Sequence, residues 1–483
     1  MSSLALFADP FPKHQYDQHS VYYLSAYLKT RGIDAKYVQD VDYSQLTKKI
    51  QDVNPDLVLY TGFTTHLDTL IDFDRYAKQH INIKSLIGGP GPTFDQDFLQ
   101  DSTFDSLCIG EGEYALADYF DSGLQSAKNI VHRENREDFV PMDLVPDLDD
   151  LPFPDRSLVY DTDPLLKNLH FKYFMTGRGC PYVCTYCYNN LYNKMFKGQG
   201  KIIRKKSVDY MIAEMNDCHR QYPFKTAILQ DDTFIFDKKW LFEWCERYPK
   251  EVGIPYTCLI RANLVDEDIV IALKESGCVA VTWSIESGNE HIRNKVLKHT
   301  MSDDQILQTA EWLNKHKLKH CIPNIVGIPG EKWENVIETL ELTLKCKPYM
   351  TIANIYTPFK GLDLTTYALA EGHLSADFST KLTTNSFFSD SVLDMPDSYN
   401  QKLQKIVHLF PLIIAYPFLY KNKLIWKSAF KVPLRILSGL RVLTFAVRVA
   451  TLYKIHAFFT VNMSLFFREI KRNYYKKKSM NLV

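Results

Sequence analysis

The sequence of 483 residues lacks an uninterrupted apolar run of the roughly twenty residues that a membrane-spanning helix needs. Its two most apolar stretches are Ile406–Tyr420 and Val442–Phe467. The first is too short and contains two prolines, and Arg448 and Lys454 interrupt the second. We therefore expect no transmembrane helix.

The sequence also lacks a secretory leader and a disulfide framework. Met1–Asp9 has the pattern of a short strand that enters a loop, which is too short for a signal peptide. Ten cysteines are scattered along the chain, as is usual in a reducing compartment. These features favour a cytoplasmic protein with room for two or three domains.

Three of the cysteines, Cys180, Cys184 and Cys187, are grouped with three and two residues between them. Three thiolates on one loop can hold three irons of a [4Fe–4S] cluster and leave the fourth iron open, whereas most clusters are closed by four cysteines. A zinc site needs four ligands, and no nearby fourth Cys or His completes the set. Buried structural thiols are the other alternative. The spacing favours the cluster.

The segment Gly177–Cys187, with Tyr186 just before the third cysteine, resembles the signature of the radical S-adenosylmethionine (SAM) superfamily. The resemblance implies that the open iron binds the amino and carboxylate groups of SAM. It implies further that reduction of the cluster cleaves SAM to methionine and a 5′-deoxyadenosyl radical. An electron donor such as flavodoxin or ferredoxin would then be a partner.

Residues 165–359 alternate apolar segments with segments of helical period. The predicted strands are 171–175, 226–230, 256–260, 280–285, 321–326 and 351–356. Short connections between βα units predict a parallel sheet with right-handed crossovers. A partial (βα)6 TIM-like barrel fits both this pattern and the radical SAM resemblance.

The resemblance implies that SAM is bound at the carboxyl ends of these strands. The expected contacts are Asp231 and Asp232 to the methionyl amino group, Arg261 to a carboxylate, Glu286 to the ribose hydroxyls, Ser287 to the SAM carboxylate, and Gly327 beneath the adenine. Asp-Asp-x-Phe replaces the more common Gly-Gly-Glu after the second strand, a variant associated with the cobalamin-binding branch. Each residue also has an ordinary alternative, because Asp often caps helices and Ser-Gly often forms turns.

Residues 1–138 have a βα alternation of their own, which predicts a small doubly wound, flavodoxin-like domain. Two glycine-rich landmarks, Gly88–Thr93 and Gly110–Glu113, resemble those of B12-binding domains fused to radical SAM barrels. The resemblance implies a cobalamin site. Its expected contact residues are Gly88, Gly89, Gly110 and Glu111. An acid- and proline-rich linker, residues 139–164, is expected to join this domain to the barrel.

The sequence departs from the B12-binding pattern at two positions. Tyr22 replaces the glycine of the Asp-x-His-x-x-Gly motif, so that His19 is either a cobalt ligand or a surface histidine. Gly91 stands where the first landmark usually has a histidine. Cobalamin held without a protein ligand, and a vestigial domain that only shapes the substrate pocket, both stay open.

The C-terminal region, residues 360–483, is expected to be mainly helical, basic and apolar. The chain has 57 acidic and 57 basic residues, but from Lys421 onward fourteen Lys and Arg face the single acid Glu469. Interfacial helices followed by the basic cluster Arg468–Lys478 would suit peripheral contact with anionic lipid. The alternatives are a helical lid over the barrel mouth and, more weakly, nucleic-acid binding.

Together these patterns predict an α/β protein with a B12-binding-type domain, a radical SAM barrel and a helical C-terminal region. The expected activity is cobalamin-dependent methylation of an unactivated carbon in a small-molecule or lipid-like substrate. One alternative is a radical cyclisation or rearrangement without methyl transfer, as in anaerobic porphyrin ester cyclases. The other is a non-catalytic interaction protein, which the intact cysteine triplet disfavours.

Overall fold

The computed structural model describes residues 3–12, 19–122, 127–133, 140–382 and 390–453. Its strands are β1 (Leu4–Asp9), β2 (Asp34–Gln39), β3 (Leu57–Thr61), β4 (Ser85–Gly88), β5 (Ser106–Cys108), β6 (Ile130–His132), β7 (Phe171–Phe174), β8 (Gly177–Arg178), β9 (Arg204–Lys205), β10 (Thr226–Leu229), β11 (Tyr256–Leu259), β12 (Cys278–Thr282), β13 (Lys319–Val326) and β14 (Met350–Ile355). Its helices are α1 (His19–Thr30), α2 (Tyr43–Val53), α3 (Leu67–His80), α4 (Pro90–Phe94), α5 (Phe98–Asp101), α6 (Glu113–Ser122), α7 (Ser157–Tyr160), α8 (Pro164–Lys167), α9 (Tyr188–Met195), α10 (Val208–Gln221), α11 (Lys238–Glu251), α12 (Glu267–Glu275), α13 (Asp303–Lys315), α14 (Trp333–Cys346), α15 (Asp363–Ala370), α16 (Asp397–Ala415), α17 (Phe418–Lys421), α18 (Lys423–Ala429) and α19 (Leu434–Tyr453).

The N-terminal sheet has the strand order β2-β1-β3-β4-β5-β6. Strands β1 to β5 are parallel, and β6 is antiparallel to β5. The strands β1 and β3 are apolar along most of their length because helices cover both faces of such a sheet. This order confirms the predicted flavodoxin-like domain. In such folds the ligand binds beyond the carboxyl ends of the strands, where the strand order reverses.

The second large sheet has the order β14-β13-β12-β11-β10-β7, with every neighbouring pair parallel. It confirms the six predicted barrel strands, although β12 begins and ends earlier than the sequence pattern suggested. Its core includes Trp244, Tyr248 and Tyr256, which are fully buried and in ring contact. All six carboxyl ends therefore lie on one edge, where an α/β barrel carries its active site.

The linker from residue 140 onward is packed against both halves of the chain. Leu148 and Leu151 are buried, and Arg156 is 3% exposed. The Arg156 guanidinium donates to the carbonyl of Tyr173 in β7 at 2.7 Å. The linker is thus a structural part of the barrel rather than a spacer.

The described part of the C-terminal region is helical, as predicted. Helix α16 packs along β14 and α14, and α19 packs on α16. Near the carboxyl end of β13, Leu403 of α16 would lie 2.8 Å from any Cβ added at Gly327. Next to the amino end of β14, the Tyr349 hydroxyl donates to the carbonyl of Arg448. These helices therefore cover the flank of the barrel beside β14.

Part of the predicted interfacial segment, residues 454–467, and the basic cluster Arg468–Lys478 lie outside the described residues. Within the described ranges, no helix combines the length and the apolar character that crossing a membrane requires.

A close approach between the loop after β12 and α14 generates the first prediction. A Cβ at Gly288 would come within 2.5 Å of the Thr339 Cα, and the Gly288 N–H donates to the Thr339 hydroxyl. Gly288→Ala should lower the free energy of unfolding by about 1–3 kcal/mol, because backbone atoms cannot yield as side chains do. Urea denaturation followed by circular dichroism measures this value.

Gly439→Ala in α19 is the matched control, since no atom lies within 4 Å of an added Cβ there. This change should raise stability by about 0.5–1 kcal/mol, because alanine suits a helix interior better than glycine. Equal stability of Gly288→Ala and the parent chain would contradict the packing described here.

Candidate functional site

The cysteine loop begins on a two-strand ribbon. Strand β8 pairs antiparallel with β9, and a Cβ at Gly179 would overlap the carbonyl oxygen of Ile202. Gly179 also has a φ of +90°, which favours glycine. The ribbon therefore fixes the path of the chain into the loop immediately before Cys180.

The far side of the loop is held by the barrel. The Thr185 hydroxyl donates to the carbonyl of Val296 at 2.7 Å, and its N–H donates to the carbonyl of Leu297 at 3.0 Å. The side-chain amide of Asn193 in α9 donates to the carbonyl of Cys180 at 2.8 Å. Backbone contacts from two directions thus fix the loop that carries the thiols.

The three thiols are partly to fully buried and form no disulfide. Burial raises the pKa of Cys180 and of Cys184, and it raises the pKa of Cys187 to about 12. Metal coordination favours the thiolate, so binding of a cluster would offset this effect. Among the described residues, no three His, Cys, Asp or Glu side chains converge closely enough to hold one metal ion.

A polar network joins the loop to two strand ends. The Tyr186 hydroxyl donates to Glu286 at 2.9 Å and lies 3.0 Å from His299 Nδ1. Arg261 donates to the same ring nitrogen at 3.1 Å, and the Cys184 Sγ lies 3.5 Å from it. Four residues predicted from sequence are therefore in one contact network, with His299 at its centre.

The network is almost closed to solvent. Burial and the neighbouring Arg261 cation lower the pKa of His299 to about 3, so that the ring is neutral at physiological pH. Burial also raises the pKa of Glu286, which has a φ of +64°. The Arg261 guanidinium stacks on Tyr182, 3.7 Å from the ring centre. The side chains expected to meet SAM are thus held in place by one another.

The two aspartates after β10 have different surroundings. Asp231 is 3% exposed and accepts a hydrogen bond from the Thr176 hydroxyl at 2.6 Å. Asp232 lines two cavities beside the cysteine loop. Partial burial of its carboxylate raises its pKa. The charge of Asp232 also contributes to the raised pKa of Cys180. Asp232 is therefore the more accessible of the pair.

Ser287 and Gly327 lie at strand ends, where each makes a local hydrogen bond within the protein. Ser287 is fully buried, and its hydroxyl accepts from the Asn289 N–H at 3.3 Å. Gly327 has a φ of +71°, and its N–H donates to the Glu331 carboxylate at 2.6 Å. Their expected contacts with SAM stay predictions.

A cavity of 390 Å³ lies between the carboxyl edge of the N-terminal sheet and the cysteine-loop ribbon. Its lining includes Leu59 and Leu86 from the sheet, the predicted residues Gly88, Gly89, Gly110 and Glu111, and residues 177–179 and Asp232 from the barrel. The wall is mainly apolar on the sheet side and polar on the barrel side. One cavity therefore contacts both landmark regions of the sequence.

The glycine landmarks are closely packed where they border this cavity. A Cβ at Gly110, which has a φ of +82°, would overlap the Phe196 ring, and one at Gly89 would lie 2.8 Å from the Thr61 hydroxyl. A Cβ at Gly91 would lie 3.0 Å from the carbonyl oxygen of Gly62. A histidine at the position of Gly91, where B12-binding domains usually have one, would require these neighbours to shift. These glycines leave the backbone on the sheet side of the cavity uncovered, as close approach of a large flat ring would require.

His19 begins α1 and lines the same cavity. Its ring lies edge-on to Tyr173, with ring centres 6.0 Å apart. Asp17 and Gln18, the preceding residues of the near-motif, lie outside the described residues. The structure thus places His19 at the cavity and leaves its ligand role as a prediction.

Glu111 joins the two domains. Its carboxylate accepts two hydrogen bonds from Arg204, at 2.7 and 2.9 Å, and lies 3.0 Å from Arg178. Arg178 also donates to Glu113 at 2.6 Å. This cluster of Glu111, Glu113, Arg178 and Arg204 is the interdomain ion-pair cluster. It joins the second glycine landmark to both β8 and β9, the two strands of the ribbon.

A second cavity, of 500 Å³, adjoins the first. Aromatic side chains dominate its wall, which includes Phe63, Phe94, Tyr188, Tyr192 and Phe359. The rings of Phe94 and Tyr188 stack at 4.3 Å. The cavity shares Pro90, Asn189, Tyr192 and Asp232 with the first. We name it the aromatic chamber.

Sequence reasoning missed His299, Arg178 and Arg204. Arg178 lay within the recognised signature but carried no assigned role, and Arg204 and His299 belong to no motif. The only available signal for His299 was its position shortly after the fourth barrel strand.

Comparisons with known proteins agree with this arrangement. The family model of the Radical SAM superfamily matches residues 174–343, and that of the B12 binding domain matches residues 14–120. An uncharacterized methyltransferase of Pyrococcus horikoshii is 27% identical over 419 residues, which are 82% of this chain and 88% of that protein. The anaerobic magnesium-protoporphyrin IX monomethyl ester cyclase of Rubrivivax gelatinosus is 24% identical and matches 71% of this chain and 65% of its own length.

Two solved structures share the fold. The methyltransferase TsrM of Kitasatospora setae, solved with cobalamin and a [4Fe–4S] cluster bound, has a TM-score of 0.64 at 14% identity and covers 78% of this chain and 80% of its own. The cobalamin-dependent SAM radical enzyme OxsB, solved with aqua-cobalamin and SAM, has a TM-score of 0.64 at 15% identity and covers 97% of this chain and 75% of its own.

The interdomain ion-pair cluster generates the second prediction. Glu111→Gln should lower the free energy of unfolding by about 3 kcal/mol or more, because Arg204 is 3% exposed and would be left buried without its carboxylate. Glu246→Gln, which breaks the exposed pair with Lys250, should change it by at most about 0.5 kcal/mol. Urea denaturation at pH 7 compares the two variants.

The same pair predicts a pH dependence. Burial alone would raise the pKa of Glu111, but Arg204 and Arg178 lower it overall below its ordinary value of 4.5. The stabilisation is therefore complete above that value and is lost as the pH falls through the lowered pKa. Glu111→Gln should lose less stability than the parent chain over this acidic window. Parallel losses in both proteins would show that Glu111 is not the group involved.

Proposed function

We propose that this chain, which belongs to the radical SAM superfamily and carries a B12-binding domain, transfers a methyl group from cobalamin to an unactivated carbon of a small-molecule substrate. The observation that carries the proposal is the shared cavity. Its wall combines the glycine landmarks of the N-terminal domain with the ribbon that leads into Cys180. The methyltransferase among its relatives supports the same conclusion.

The residues present fit the cofactors of this family. Cys180, Cys184 and Cys187 would hold a [4Fe–4S] cluster, and the cavity would hold cobalamin. When bound, these groups supply reductive cleavage of SAM to a 5′-deoxyadenosyl radical and a transferable methyl group. Reduction needs an external one-electron donor of the flavodoxin or ferredoxin type.

The chain's own residues would bind and orient SAM. The Asp232 carboxylate would accept a hydrogen bond from the methionyl amino group. The contacts among Tyr186, Glu286 and His299 hold the Glu286 carboxylate close to Cys184, where it would accept from the ribose hydroxyls. Arg261 is held on Tyr182 and donates to the same nitrogen of His299 that the Tyr186 hydroxyl contacts. A prearranged set of polar groups in a nearly closed site costs little reorganisation when the substrate reacts.

We place the substrate in the aromatic chamber. Asp232 and Asn189 belong to the walls of both cavities, so a molecule in the chamber would lie beside the cysteine loop and beside the cobalamin cavity. Its aromatic wall suits an apolar or flat molecule and excludes water from reactive species.

A second candidate function is radical cyclisation or rearrangement without methyl transfer. The similarity to the Rubrivivax cyclase favours it. The two functions differ in what becomes of SAM. Methylation consumes a second SAM to recharge the methyl carrier and yields S-adenosylhomocysteine, whereas a cyclisation yields none.

Anaerobic turnover tests the proposal. The reconstituted chain should bind about four irons and, with dithionite and SAM, should release 5′-deoxyadenosine. With cobalamin and substrate it should also form S-adenosylhomocysteine. Chromatography of the quenched reaction measures both products. Deoxyadenosine formed throughout turnover without S-adenosylhomocysteine would favour the second candidate.

The Cys180→Ala, Cys184→Ala, Cys187→Ala triple variant should lose both the iron and the deoxyadenosine. Cys321→Ala in β13 is the matched control and should keep both, because it lies away from the loop. Iron retained by the triple variant, or lost by the control, would overturn the assignment of the cluster.

Cobalamin binding gives a separate prediction. About one hydroxocobalamin should bind per chain, without a nitrogen ligand from the protein. The electron paramagnetic resonance spectrum of the bound Co(II) form should then lack the splitting of an axial imidazole. A splitting that disappears in His19→Ala would show that His19 is a ligand. Absence of binding would favour a vestigial domain.

A further inference from the structure

Exposed apolar side chains are concentrated in the C-terminal helices. In the described residues, eighteen large hydrophobic side chains are exposed, and nine of them lie within 416–447. They are Tyr416, Phe418, Leu424, Ile425, Ile436, Leu440, Leu443, Phe445 and Val447. Single exposed apolar residues are ordinary, but half of the total within 32 residues is not.

Four of these residues form a stripe along α19. Ile436, Leu440, Leu443 and Val447 follow one another at intervals of four, three and four residues, which places them on one helical face. These four side chains are 47, 45, 53 and 45% exposed, respectively. Leu437 and Val449 of α19 lie outside this stripe and are buried. Helix α19 is therefore apolar on two faces, of which the core covers one.

The orientation of these helices is fixed by their packed side. Trp426 and Phe430 of the α18 region stack edge to face and pack on the core beside β14. Arg448 of α19 lies over the Tyr349 ring, 5.3 Å from its centre. Leu424, which is 78% exposed, consequently points away from the protein. We use the name C-terminal apolar surface for the exposed apolar residues from 416 to 447, except Phe445, which lies on the side of α19 opposite the stripe.

The charged residues that this segment itself contributes are all basic, although Glu341 of α14 accepts a hydrogen bond from the Tyr420 hydroxyl at its margin. The sequence contains no Asp or Glu between Asp397 and Glu469. Lys421, Lys423, Lys427, Lys431 and Arg435 are all exposed among the apolar residues. Long basic side chains beside exposed Leu and Phe are typical of helices that lie in a membrane interface.

We propose that the C-terminal apolar surface binds the surface of an anionic lipid bilayer, with α17 to α19 lying in the interface. The apolar side chains would enter the boundary of the acyl chains, and the lysines would face the lipid phosphates. Two kinds of attraction act together here, as stable peripheral binding requires. An apolar face that served a second copy of the chain would instead bring like charges together.

Vesicle sedimentation of the full chain tests this proposal. The probe is a vesicle of phosphatidylcholine with about one third phosphatidylglycerol, compared with phosphatidylcholine alone. The chain should sediment with the anionic vesicles at low salt and be released as salt rises, because the charge contribution is screened. No sedimentation with anionic vesicles would overturn the proposal.

Two variants separate the apolar and the charge contributions. Leu440→Glu with Leu443→Glu should reduce vesicle binding at least tenfold, because two apolar side chains of the stripe would no longer enter the bilayer. The control with two Glu substitutions elsewhere accounts for the added negative charge. Replacing Lys421, Lys423, Lys427 and Lys431 by Gln should also reduce it at least tenfold, since each basic residue near an anionic surface contributes severalfold.

Matched controls alter the same residue types elsewhere. Val41→Glu with Phe242→Glu changes two exposed apolar residues of the other domains, and Lys48, Lys84, Lys225 and Lys239 provide four exposed lysines for replacement by Gln. These variants should bind as the parent chain does. All variants should form 5′-deoxyadenosine from SAM, so that loss of lipid binding is distinguished from failure of the proposed function.

Three results would contradict this assignment. Salt-sensitive vesicle binding that survives the substitutions in the apolar surface would place the contact on other residues. A dimer in solution that Leu440→Glu with Leu443→Glu converts to a monomer would show that a second copy covers the surface. Equal reduction by the control variants would show that binding follows net charge alone.

Discussion

The contact on which the rest of the site depends is the ion pair between Glu111 and Arg204. Glu111 follows the last parallel strand of the N-terminal sheet, and Arg204 belongs to the ribbon that leads to the cysteine loop. Both side chains are largely buried, so the pair tolerates little displacement of one domain against the other. The pair holds the end of the N-terminal sheet against the ribbon, and both border the cavity between the two domains.

A second constraint acts within the barrel. The carboxyl ends of all the parallel strands lie at one edge of the sheet, so residues that are distant in sequence come close together there. Tyr186 lies in the cysteine loop, Arg261 follows β11, and Glu286 and His299 both follow β12. The four side chains nevertheless meet at one histidine nitrogen and one carboxylate. The neutral imidazole is essential to this arrangement, because a charged ring beside Arg261 would repel it.

The parts of the structure that sequence could predict are those with a regular pattern or a spaced motif. The barrel strands contain buried apolar residues at alternating positions, and they could be predicted from these short apolar segments. Cys180, Cys184 and Cys187 have a spacing with one dominant chemical meaning. Strands β8 and β9 have two residues each, too few for any periodicity. They are nevertheless what positions the cysteine loop.

Residues that act through partners were harder to find. Arg204 and His299 are unremarkable in the sequence because their roles arise from contacts across 93 and 38 positions, with Glu111 and Arg261. Ser287 shows a different case: its motif suggested a contact with SAM, which stays a prediction, and in the structure its hydroxyl accepts from the Asn289 N–H. The composition of the C-terminal region predicted helices, but not that they would pack beside β14.

A barrel of six strands does not close, and so it leaves two edges with unpaired backbone groups. Such edges recruit strands from other chains unless they are covered. Here the linker covers one, where Arg156 occupies the carbonyl of Tyr173 in β7, and α16 lies along the other at β14. The linker and the C-terminal helices thus protect the barrel from aggregation. A truncated chain that lacked both would expose the two edge strands to other protein molecules.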